Sequence, residues 1–289
     1  MAQVDIDYLK RSKKHRDYST VIICVVLGIM GVVSLLPLVY LFVSAFKPME
    51  ELFMYPPRFF VMHPTLKNFS DLMAVTANTT VPFTRYLFNT ILITVAYLLS
   101  MILVSTMACY PLSKHNFPGR NVLFKTITTA LMFVTAATAV PSYLIITWLG
   151  LTNNYFAYIV PGLANTMGVF LMKQMLDTVP NEIFEAGKID GASEWQLYTK
   201  IAIPLLKNAR ATIIILSFGG IWGESGTAGT YIYDEQLRTL GWFMGTIGGG
   251  LARAGASAAA GLIMTLPTII MFILQQSKVM DTMAHSGIK

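Results

Sequence analysis

Charge is what this sequence has least of. Only 12% of its 289 residues are Asp, Glu, Lys or Arg, against roughly a quarter in soluble domains. Hydrophobic residues make up 54%, and the mean hydropathy is +0.58. That deficit excludes an ordinary soluble fold and points to a membrane, with one domain sufficing for the length. Cysteine is almost absent. Cys24 and Cys109 both lie in apolar runs, facing lipid or core rather than forming a disulfide or a metal pair. The histidines His15, His63, His115 and His285 fall in loops or tails and show no ligand spacing. No GxxxxGK[ST] loop occurs, so phosphates are not cradled in that manner, and no HExxH occurs either. Gly223-Glu224-Ser225-Gly226-Thr227 approaches a nucleophile elbow but has threonine where the last glycine belongs. A membrane enzyme is therefore a poor reading. Ionisable residues are also missing from the middle of the apolar runs, where an ion-coupled transporter would keep them. Lys125 and Lys173 fall near run ends and can snorkel. The net charge of +6 does not signal nucleic acid, because the basic residues gather at span ends, as the positive-inside rule expects.

What the chain does have is long apolar runs. They predict an all-α membrane protein with about six transmembrane helices of roughly 20 residues, both termini cytoplasmic. The runs are Ser19 to Phe46, Phe88 to Tyr110, Val122 to Trp148, Tyr155 to Leu176, Ala209 to Ile221 and Ser257 to Leu274. Residues 1–18 form a cytoplasmic segment carrying Lys10, Arg11, Lys13, Lys14 and Arg16. Residues 19–280 form the transmembrane domain, and residues 281–289 form a cytoplasmic tail. The first run is longer than a signal-peptide core of roughly 7–15 residues and reads as an uncleaved anchor. Lys47 to Arg85, with five prolines, belongs outside, as do Gly150–Asn154 and Gly223–Ala254. Pro141, Pro161-Gly162 and Gly219-Gly220 interrupt their runs. Such breaks are either inert or leave irregular backbone lining a water-filled path.

One polar stretch stands apart, Asn181 to Asn208, reading NEIFEAGKIDGASEWQLYTKIAIPLLKN. Glu182 to Ala186 begins a short helix after Pro180. Gly191 follows its last turn, where a left-handed residue ends a helix at no steric cost. Ser193 caps a second helix with Gln196 three residues on, as in a capping box. Trp195, Tyr198 and Ala202 fall on one face, widened by Leu197 and Ile201. Pro204 disfavours helix at the residue before it. Such a pair is too short to be stable alone and must dock its apolar stripe. An ordinary loop packed on its own domain would look the same.

Glu185-Ala186-Gly187, Asp190-Gly191-Ala192 and Ile203-Pro204 resemble the EAA signature of ABC-importer permeases, most closely the smaller six-span subunit of maltose-type carbohydrate transporters. The resemblance extends through Tyr86-Leu87-Phe88-Asn89-Thr90, Phe117-Pro118-Gly119-Arg120, Leu149 to Asn153, Ile159 to Gly162 and Gly168 to Leu171. Gly187 stands where the signature usually has alanine, and Asn208 where a second proline is common. Trp222 to Ala252 departs most. The resemblance implies a type I importer permease fold in a bacterial cytoplasmic membrane. It implies a second homologous permease, a cytoplasmic ATPase dimer that holds ATP and magnesium, and an extracytoplasmic sugar-binding protein. This chain would carry no cofactor. Glu185, Ala186, Gly187, Asp190, Gly191, Ala192, Trp195, Tyr198, Ile203 and Pro204 would couple it to the ATPase. The Gly223–Ala256 region and the 283–289 tail resemble the branch that handles pectic or uronate-containing oligosaccharides. Asn165, Thr166, Ser217, Trp222 and Glu224 are polar groups able to meet a sugar. Asn165 and Thr166 serve equally well to bridge neighbouring helices.

Overall fold

α1 (Tyr18–Ala45) holds no charged residue over 28 positions, and its most apolar stretch buries nothing within the chain. In water such a helix is untenable. In lipid its backbone is satisfied internally and its side chains match their solvent. The computed structural model describes residues 18–56, 58–77, 80–247 and 253–286. The basic cluster Lys10 to Arg16, Pro57, the 248–252 stretch and residues 287–289 lie outside them. The proline-rich segment after α1 contains two helices, α2 (Met49–Leu52) and α3 (Lys67–Ala77). Its buried polar groups are paired, as burial demands. Asn68 donates to the carbonyls of Ala45 at 2.9 Å and Lys47 at 2.7 Å, Lys47 donates to Arg58 O, and Glu51 accepts from the Met62 and His63 amides.

α4 (Phe83–Lys114) is the spine, 32 residues long, which at 1.5 Å per residue is about 48 Å. Tyr86, Asn89, Thr90, Ile93, Met101, Ser105 and Cys109 are buried along it at helical spacing. The third expected span is broken into α5 (Arg120–Ala130) and α6 (Thr135–Trp148). Threonine hydroxyls donate to helix carbonyls just before the break, Thr126 to Val122 O at 3.0 Å and Thr128 to Lys125 O at 2.9 Å, and such back-bonding weakens a helix. Pro141 lies inside α6 without ending it. The fourth span is α7 (Phe156–Leu163) followed by α8 (Thr166–Asp177). The break falls at Ala164–Asn165, not at Pro161-Gly162. Asn165 decides the place, because its carboxamide accepts from the Gly168 amide at 2.6 Å and caps α8.

The polar stretch gives α9 (Glu182–Ile189) and α10 (Glu194–Leu205). A 67° bend joins α10 to α11 (Lys207–Trp222). Gly219-Gly220 stays helical within α11, so no irregular backbone arises there. Beyond it come α12 (Gly226–Tyr231), a 3₁₀ turn (Glu235–Leu237), α13 (Leu240–Thr246) and α14 (Ala254–Ser286). The described residues contain no strand. Among them α1, α4, the α7–α8 pair and α14 are long and apolar enough to cross a membrane, and the bent α10–α11 pair reaches that length and apolarity only when its two helices are taken together. α6 is a shorter apolar helix. α4 packs on α7, α8 and α11, while α14 packs on α1, α3 and α11.

Lys173 corrects another expectation. It does not snorkel but is buried, 2.5 Å from Asp177 and 4.4 Å from the Phe124 ring centroid. Asp177 also accepts from Ser113 at 2.6 Å. A lone buried ammonium would be costly, and these partners explain its place.

Candidate functional site

The polar loop docks on the end of its own spans. Phe184 is buried beside Tyr110, with ring centroids 6.0 Å apart, and lies beneath the Lys114 ammonium at 5.2 Å. Lys114 also donates to Val179 O at 2.6 Å and to Asn181 Oδ1 at 3.1 Å. Leu197, Tyr198, Ala202 and Leu206 enter the same core as Met101, Cys109, Met172 and Leu176. The Tyr198 and Thr106 hydroxyls meet at 2.9 Å. The stripe expected to need a partner thus finds much of one within the chain.

The turn follows the sequence logic closely. Gly191 has φ +79°, a region open to glycine and strained for other residues. Its amide bonds Lys188 O, and the Ala192 amide bonds Gly187 O, both at 3.0 Å. Ser193 and Gln196 form both halves of the capping box, at 3.3 and 2.8 Å. Gly187 has a role the signature comparison does not supply. A Cβ there would stand 2.6 Å from Leu197 Cδ2 and 3.1 Å from Ile201 Cδ1, so glycine lets α9 approach α10.

Two expectations for α10 need correcting. Ile203 is helical despite preceding Pro204, with φ −58° and ψ −47°. The chain passes through a π turn, Leu197–Ala202, in which the Ile203 amide bonds Tyr198 O. Burial of Leu197, Tyr198, Ala202 and Leu206 holds Ile203 in a conformation its sequence neighbour disfavours. The wider turn also changes which residues share a face. Leu197, five positions before Ala202, is buried with it, and Trp195 stays 63% exposed beside the Tyr198 ring.

The exposed side of the loop carries Ile183, Glu185, Ala186, Ile189, Asp190, Trp195 and Pro204, while Ala192 and Ile203 are half-buried. Ile189 is 87% exposed. The Glu185 carboxylate makes no ion pair or hydrogen bond among the described residues. Glu194 is the residue that sequence reasoning missed. It accepts from the Tyr110 hydroxyl at 2.9 Å, meets His115 Nε2 at 3.1 Å and pairs with Lys188 at 2.9 Å. The Lys188 ammonium, with the Tyr110 hydroxyl and His115, holds its carboxyl below the usual carboxylate range, against partial burial. The only hint in the sequence was an acid in the first turn of a capped helix.

The residues expected to meet a sugar divide. Asn165 lies at the break, reaching Met101 Sδ at 3.0 Å and the Tyr97 hydroxyl. Glu224 is electrostatically close to Tyr97 and Tyr158, and accepts from the Thr227 amide at 2.6 Å. Thr166 and Ser217 are half-buried on α8 and α11. Trp222 is committed to α14, donating to Met264 O at 2.9 Å and stacking on Phe218. Tyr97 was missed, although Gly162 pointed to it. That glycine does not break its helix but admits the Tyr97 ring, which a Cβ would overlap. Gly162→Ala is expected to cost about 1–3 kcal/mol by overpacking. The thermal midpoint of the detergent-solubilised protein should fall, and in a Tyr97→Ala background, where the ring is gone, the same Gly162→Ala change should lower it little further. An unchanged midpoint for Gly162→Ala would count against this packing.

Comparison with known proteins fits this geometry. Residues 99–277 match the family described as binding-protein-dependent transport system inner membrane component. The Bacillus subtilis protein LplC is 28% identical over 91% of this chain and 92% of its own length. The sn-glycerol-3-phosphate transport system permease protein UgpE of Pectobacterium atrosepticum is 28% identical over 88% of this chain and 91% of its own. A crystal structure of a bacterial ABC transporter involved in import of the acidic polysaccharide alginate shares the fold. Its TM-score is 0.78 at 22% identity, covering 92% of this chain and 98% of that one. With its multiple apolar helices, this chain is a multi-pass transport component of the cytoplasmic membrane and belongs to the family of binding-protein-dependent transport system inner membrane components.

Proposed function

We propose that the chain is the permease subunit of an ATP-binding-cassette importer for an oligosaccharide, driven by a cytoplasmic ATPase dimer through the Asn181–Asn208 loop. One observation carries this reading. The loop is held firmly to the spans on its buried side, yet keeps Ile183, Ile189 and Trp195 in the open with an unpaired Glu185 among them. A rigid polar-rimmed apolar face suits docking. ATP and magnesium belong to the ATPase, a second permease completes the path, and an extracytoplasmic binding protein delivers the cargo. Tyr97, Asn165 and Glu224 supply hydrogen-bonding groups at a break in the spans, where polar backbone can line a cavity. Within the oligosaccharides, a pectic or uronate-containing one is the finer reading, from the resemblance of the 223–256 region and the tail. A small phosphorylated solute is the second reading, favoured by the likeness to UgpE.

Purified alone, the chain should hydrolyse no ATP. In vesicles with its partners it should take up oligosaccharide only when ATP and the loaded binding protein are both present. Uptake by the chain alone under a proton gradient would overturn the reading. Competition between labelled oligosaccharide and glycerol phosphate separates the two cargo classes.

A further inference from the structure

We infer that Glu194 is the clasp through which the loop moves α4, and that α4 relays that movement to the segment joining α11 to α14 at the opposite end. The inference rests on the ATPase-driven reading above. The loop has two mechanical outputs. One is covalent, from α10 into α11, and it passes through a 67° bend, where a push can be absorbed by flexing. The other is the docking on α4, where Phe184 packs on Tyr110, Tyr198 meets Thr106 and Lys114 holds Val179 O and Asn181. There Glu194, alone among the described residues, ties α9, α10 and the end of α4 through one side chain. Its carboxylate takes the Tyr110 hydroxyl and His115 Nε2 from the far end of α4 and the turn after it, and the Lys188 ammonium from α9. Both helices of the loop are therefore tied to α4 at one point. His115 Nδ1 is buried without a partner, so Nε2, the nitrogen facing Glu194, is the one the ring uses.

The other end of α4 grips a different element. The Asn89 amide donates to the carbonyls of Gln236 at 2.7 Å and Arg238 at 2.9 Å, and the Tyr86 hydroxyl donates to Glu235 at 2.7 Å. The Leu240 amide donates to Thr90 Oγ1 at 2.8 Å. α4 is one unbroken helix between these two grips, whereas the α5–α6 and α7–α8 routes are interrupted. A continuous helix transmits displacement along its axis, and coupling needs such a physically connected element.

Glu194 is a positioning residue here, acting through Tyr110 and His115. The test uses the assembled importer with Cys24→Ser and a spectroscopic label at Gln236→Cys, Cys109 being buried. Trapping nucleotide on the ATPase should shift the label signal. In Glu194→Ala the trapped nucleotide should be unchanged, while the label shift falls about fivefold or more. Glu194→Gln, which keeps an acceptor for Tyr110, should lie between. Tyr110→Phe removes the same hydrogen bond and serves if Glu194→Ala fails to assemble. A full label shift in Glu194→Ala or Tyr110→Phe would overturn the clasp while leaving the ATPase reading intact. A native complex that traps no nucleotide would sink both.

Discussion

Gly191→Val should abolish uptake while leaving normal amounts of the chain in the membrane. Gly191 is exposed, and a Cβ there would meet nothing within 4 Å. The penalty is therefore all in the backbone. With φ at +79°, an L side chain costs about 1–2 kcal/mol, and a β-branched one lies at the costly end. Holding that φ is one outcome. The other is that the residue relaxes to negative φ and breaks the bonds to Lys188 O and Gly187 O that close the turn. Relaxation would re-aim α9 against α10, because the capping box at Ser193 fixes only the second helix. The apolar spans insert independently of this turn. Membrane content by immunoblot should be unchanged, and uptake should fall to background. Hydrolysis in the complex should stop responding to the loaded binding protein. Gly191→Asn, which tolerates the left-handed region, should keep most activity. Wild-type uptake by Gly191→Val would show that the angle of the turn does not matter.

The turn was readable because its causes are local. A glycine and a Ser-x-x-Gln pair each act within a few residues, and the structure has both. The spans were readable for a similar reason, since hydrophobicity over 20 or so residues is a property of a segment. What escaped depends on distant partners. Pro161-Gly162 reads as a break, but the glycine answers to Tyr97 more than sixty positions away, and the break belongs to Asn165. Glu194 looks like any surface acid until α4 brings Tyr110 and His115 to it. Lys173 looks like a snorkelling lysine until Asp177 and Phe124 enclose it. The π turn could not be foreseen from propensity, because a buried leucine and tyrosine outweigh the bias Pro204 imposes on Ile203. Position along the chain predicts neighbours on the same helix and says little of those on another.

Ile189→Lys should detach the ATPase without disturbing the fold. Ile189 ends α9 at 87% exposure, so its side chain contributes almost nothing to the chain's own packing. Surface changes of this kind usually stay within about 0.5 kcal/mol. Lysine is also the better choice of charge, because a cation at a helix C-terminus complements the dipole, whereas aspartate would confuse a folding effect with a binding one. A large apolar side chain left open beside the turn is the sort of anchor that fills a partner's pocket. Losing such an anchor costs about 2 kcal/mol or more, which is about 30-fold in affinity. Placing an ammonium in an apolar pocket adds a desolvation penalty to that loss. The purified permease should therefore keep its thermal midpoint and its second permease, while the ATPase is lost on washing and uptake collapses. Ile183→Lys, 44% exposed on the same helix, should do the same more weakly. Glu185→Ala should leave the ATPase bound, since an exposed charge pair contributes about 1 kcal/mol at most, and should instead lower uptake per ATP hydrolysed. Co-purification measured against increasing ATPase concentration reads the affinity directly. If Ile189→Lys retains the ATPase at native affinity, the partner does not dock on the end of α9, and the open face of the loop serves something else.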